Sequence, residues 1–146
     1  MRAARWNRPS TIALLAQRGA NIEARNHAGK TALIIAAELQ HVDAVSMLLT
    51  TGANVHATSD QGSSALHVAA RVGSEQMVRM LLDAKANATL PDLFGRTPWI
   101  TAVHHHKDDL LRGLLEPDGS KDEFLQALQR DKHPSDVAKH MNMLYQ

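Results

Sequence analysis

The segment SDQGSSALHVAARVGSEQMVRMLLDAKANATLP, residues 59–91, decides how the rest of the chain is read. Gly62 marks a turn, because glycine reaches positive φ without steric cost. Ala65, Leu66, Val68, Ala69 and Ala70 then predict a short helix of small apolar residues, with Gly73 as its left-handed cap. Ser74 is placed to cap a second helix on which Met77, Val78, Leu81 and Leu82 form the apolar side. Neither helix is long enough to hold in water by itself, so the unit needs neighbours.

The chain supplies them at a fixed step. Gly29, Gly62 and Gly95 lie 33 residues apart, as do Leu48, Leu81 and Leu114. Asn21, Asn54 and Asn87 keep the same interval, and so do Gly19, Gly52 and Lys85 at the reversal after the second helix. The aligned blocks are GKTALIIAA (29–37), GSSALHVAA (62–70) and GRTPWITAV (95–103). They are followed by VSMLLTTGANV (45–55), VRMLLDAKANA (78–88) and LRGLLEPDG (111–119). A 33-residue period with a Thr-Pro-Leu-His-x-Ala-like core resembles the ankyrin repeat, here over residues 8–118. The resemblance implies an all-α solenoid of stacked helix–turn–helix units joined by short β-turn or hairpin connections.

In that frame residues 1–25 are a partial first repeat and its second helix, with Ile12, Leu14 and Leu15 apolar and Ser10 as candidate cap. Met1 falls partway along a first helix, so this unit is expected to fray, as a piece of a longer array would. Residues 26–58, 59–91 and 92–118 are the repeats that follow. Residues 119–146 are expected to be a diverged capping repeat, with helices over DEFLQALQR (122–130) and from Ser135 onward.

Composition fits a stack of small residues. Only five aromatic side chains are present, so Ala, Leu, Val, Ile and Met must build the interior. The absence of cysteine excludes disulfides, thiolate zinc sites and a thiol nucleophile, and it accords with an intracellular, cytoplasmic or nuclear, setting. No apolar run approaches the length of a membrane helix. Net charge is +1, yet residues 1–30 carry +5 through Arg2, Arg5, Arg8, Arg18, Arg25 and Lys30 against Glu23. A solvated terminal face accounts for this front; the alternative is a nucleic-acid or phosphate-binding surface.

No catalytic constellation emerges: there is no P-loop, dinucleotide fingerprint, nucleophile elbow or zinc-protease helix. His67 is expected to be structural, because in the family a hydroxyl and this imidazole tighten the entrance of the first helix, here as Ser64 with His67. Ile34 replaces that histidine beside Thr31. Trp99 is expected in the core. The run His104-His105-His106 suggests a metal site, but consecutive helical residues diverge by about 100°, so at most two could share an ion. His104 with Asp108 is the i, i+4 pair of note. The run is read as a polar helix end, with no metal and no cofactor.

What the resemblance implies about function is binding, through a concave groove of turn tips and first helices that engages a protein partner. The family's variable turn positions fall on His27, Ala28 and Lys30, on Asp60, Gln61 and Ser63, and on Leu93, Phe94 and Arg96. Its first-helix positions fall on Glu38 and Leu39, Arg71 and Val72, and His104 and His105. Leu39, Val72 and His105 are expected to stack as one column. Phe94 at a turn tip either folds back onto Leu93 or the C-terminal helix or stands out as a contact residue. The expected protein is a non-enzymatic interaction module, monomeric unless part of a longer array, with its partner unnamed by the sequence.

Overall fold

Helices this short become stable only where they can be stacked, and the computed structural model, which describes residues 1–107 and 109–110, shows that stacking. Its helices are α1 Arg2–Arg5, α2 Pro9–Gln17, α3 Ala32–Glu38, α4 Val42–Thr50, α5 Ala65–Val72, α6 Glu75–Asp83 and α7 Pro98–His104. The first helices α1, α3, α5 and α7 pack in series, the second helices α2, α4 and α6 pack in a parallel series, and each pair closes on itself. Ala36, Ala69 and Ala102, in register, are fully buried, so first helices approach through methyl groups. Leu48, Leu81 and Met77 fill the layer behind them, and Trp99 is buried as expected. Among the described residues the β-structure is one isolated bridge between Thr58 and Ser64. The fold is the expected all-α solenoid.

The turns before the first helices are held by side chains in the same register. Asn26 Oδ1 accepts from the N–H groups of Ala28 and Lys30 at 3.0 and 2.9 Å. Asp92 Oδ1 accepts from those of Phe94 and Arg96 at 2.9 Å, and Ser59 Oγ accepts from Gln61 at 3.3 Å. Each tip also grips the next: Asp60 N–H donates to Ala28 O at 3.1 Å, and Leu93 N–H donates to Gln61 O at 3.0 Å. These contacts leave no room at Gly29, where an added Cβ would collide with Asp60, nor at Gly62, where it would meet Leu93 N at 3.0 Å.

At the central entrance Ser64 and His67 form a complete capping box. His67 Nδ1 accepts from Ser64 N–H at 3.2 Å, and Nε2 lies 2.9 Å from Arg96 O. A carbonyl only accepts, so Nε2 carries the proton and the ring is neutral. His67 thus ties its own helix to the following tip, a structural role. In the unit before, Thr31 is buried beside Ile34, which offers no acceptor, and among the described residues the Thr31 hydroxyl has no hydrogen-bond partner.

The first unit departs from expectation in two respects. Pro9, not a residue after Ser10, begins α2, and Arg8 is its N-cap without a side-chain bond. Proline is suited to the first helical position because the missing N–H has no partner there. The unit is also tied down where fraying was expected, since Asn7 Oδ1 accepts from Ala44 N–H at 3.1 Å and Ala4 O accepts from His41 Nδ1 at 3.0 Å. Its outer side stays open: Leu15 is 44% exposed, whereas Leu81 at the matching position is 0%. The second helix of the last full unit beyond Leu110, Asp108, and the expected cap over 119–146 lie outside the described residues.

Three outcomes follow. Leu81→Ala should cost about 2–5 kcal/mol in urea unfolding, while Leu15→Ala should cost less than about 1 kcal/mol; equal losses would contradict the difference in burial. Ser64→Ala should cost about 1 kcal/mol, whereas Thr31→Val, which deletes an unsatisfied hydroxyl, should be neutral or stabilising. Burial lowers the His67 pKa below its ordinary 6.5, outweighing the hydrogen bond that the ring donates to Arg96 O and the Asp92 charge, which raise it. Below pH 6.5 the unfolded chain therefore binds a proton that the folded ring refuses, so stability falls with pH until the lowered folded value is passed. The urea midpoint should drop between about pH 7.5 and pH 5, and His67→Gln should flatten that drop.

Candidate functional site

Because each tip is held by its own turn residue and bonded to a neighbouring tip, the side chains flanking the glycines project in order along one face. Lys30, Gln61 and Arg96 from successive tips, with Glu38, Arg71 and His105 from the ends of first helices, line one cavity of about 320 Å³. These are six of the residues that the repeat register nominates. Ser59, His67 and Asp92, which build the tips, form part of the same wall.

The charges on this wall are mixed. Lys30 Nζ lies 2.7 Å from Glu38 Oε1, and Arg71 Nη2 lies 3.8 Å from the same oxygen. Arg96 is fixed on both sides. Its Nε and Nη2 reach Asp92 Oδ2 at 3.0 and 2.9 Å, and its guanidinium carbon stands 4.7 Å from the Phe94 ring centroid. Burial works to raise the Asp92 pKa, but the hydrogen bonds from Arg96 and Phe94 with the Arg96 charge hold the carboxyl below its usual value. His105 is pushed down by partial burial first, then by the positive charges of Arg71, Arg96, His104 and Lys107.

Other nominated residues sit elsewhere. His27 and Asp60 are exposed on the tips, and Leu93 and Phe94 stand out from the third tip. Phe94 is 68% exposed and stacks on Arg96 instead of folding back on Leu93. Of the expected column Leu39, Val72 and His105, only His105 lines this cavity. Val72 packs on the core and lines a second cavity of about 260 Å³ with Gly73, Lys107 and Leu110, His105 lines the first, and Leu39 lines neither. His104 is the last residue of α7 and partly buried.

The histidine run is a helix ending. His105 is the C-cap and His106 takes a left-handed φ of 53°, the position that Gly73 fills one unit earlier. Among the described residues no three His, Asp or Glu side chains converge as metal ligands. Two features escaped the sequence reading. Asn26, Ser59 and Asp92 hold the tips, a set detectable from its 33-residue step. Trp6, 71% exposed, occupies the Leu39 position of the first unit. Of the basic front, Arg25 is spent on structure: its Nη1 donates to Thr58 O at 2.9 Å. No described helix is long and apolar enough to cross a membrane.

A comparison with individually curated proteins finds no match. The family model for ankyrin repeats in three copies matches residues 1–92 and again 51–126. Proteins built this way are non-catalytic scaffolds for protein interaction, and the chain is one of them: it belongs to the ankyrin repeat family.

Proposed function

We propose that the chain binds a protein partner along the concave face formed by its tips and first-helix ends, with Phe94, Arg96 and Arg71 as the principal contacts. The observation that carries this reading is the shared cavity joined to an exposed aromatic. Residues from three successive units line it, and Phe94 stands beside it, stacked on a guanidinium that Asp92 already orients. An aromatic and an arginine held in place before binding lose little conformational freedom on contact, and such residues dominate interface energies. The polar lining suits a hydrogen-bonding partner surface more than a buried apolar ligand. His27, Lys30, Glu38, Leu39, Asp60, Gln61, Val72, Leu93, His104 and His105 make up the surround on this reading.

Replacing Phe94→Ala together with Arg71→Ala should abolish capture of the partner while changing stability by less than about 1 kcal/mol per site. Removing Arg2, Arg5 and Arg8 should leave capture intact. Pull-down with each variant, alongside thermal melts, checks both. Retention of every partner by the groove variant would defeat the concave-face reading.

A further inference from the structure

The cations and carboxylates on the concave wall are unequally engaged. Glu38 is closed by Lys30 at 2.7 Å. Both oxygens of Asp92 are taken up by its own turn and by Arg96. Arg71 is different. Its side chain is 44% exposed, and its nearest carboxylate oxygen, on Glu38, is 3.8 Å away, beyond hydrogen-bond length. Among the described residues it makes no hydrogen bond. His105 lines the same wall, and its pKa is lowered by partial burial first and then by the charges of Arg71, Arg96, His104 and Lys107. We propose that Arg71, with Arg96 and His105, seats a carboxylate of an acidic peptide segment of the protein partner, while Phe94 covers an apolar residue beside it.

This rests on the groove reading. Glu38 and Asp92 stand on the same wall and would repel a run of closely spaced phosphates, whereas an extended peptide presents alternate side chains about 7 Å apart, so one carboxylate can enter alone. The planar guanidinium also matches a carboxylate in two parallel hydrogen bonds.

Fluorescence anisotropy of the full chain with two labelled peptides, one alternating glutamate and leucine and one alternating glutamine and leucine, tests this. Inorganic phosphate and a single-stranded oligonucleotide serve as competitors. The glutamate peptide should bind at least about fivefold more tightly than its glutamine counterpart. Arg71→Gln should erase that preference without shifting the melt, and Phe94→Ala should weaken both peptides equally. Equal binding of the two peptides, still sensitive to Phe94→Ala, would overturn the carboxylate seat and leave the groove reading standing. Binding insensitive to both variants would overturn both. Failure of the glutamate peptide to bind, or its displacement by phosphate or oligonucleotide at equal concentration, would also overturn the seat.

Discussion

A single backbone hydrogen bond joins each described tip to the next, Ala28 to Asp60 and Gln61 to Leu93, and the order of everything behind depends on it. That bond sets the spacing of the units at the turn. The buried alanines set it at the helices, and the two must agree for both to form. Glycine at 29 and 62 is the condition for the agreement, because a side chain there would occupy the space of the neighbouring tip. Stability in such a stack comes from intrinsic unit terms plus nearest-neighbour contacts, so a tip that cannot close weakens two interfaces at once.

The groups that hold the tips are also the wall of the groove. Ser59, His67 and Asp92 are structural by their hydrogen bonds, yet they line the cavity in which Lys30, Arg71 and Arg96 stand. The groove is polar for this reason: its wall is made of turn acceptors and the cations they attract. Fixing Arg96 between Asp92 and Phe94 costs conformational entropy during folding instead of during binding, which is what preorganisation means in energetic terms. Arg71, at a helix end, has no turn residue to hold it and faces Glu38 only at 3.8 Å.

The 33-residue step, the helix pairs, the left-handed turn glycines and the structural role of His67 were all legible in the linear sequence, because each depends on local conformation repeated at a fixed interval. Trp99 in the core was legible for the same reason. The Leu39, Val72 and His105 column was drawn from that register too, yet of the three only His105 lines the groove cavity. Register places backbones in line, but at a helix end the side chain one residue on points about 100° away. The tip-holding set Asn26, Ser59 and Asp92 was hidden because its three residue types differ while their acceptor oxygens do the same work.

By itself, then, the sequence determined the family and the all-α repeat fold. Tertiary structure alone decided which of the nominated residues share a space. It closed Glu38 with Lys30, spent Arg25 on the carbonyl of Thr58, stacked Arg96 on Phe94 and left Arg71 3.8 Å from Glu38. The physical reason is range: a repeat period is written by local backbone preference, whereas an ion pair is settled by ångström distances between side chains that the period brings near but does not aim.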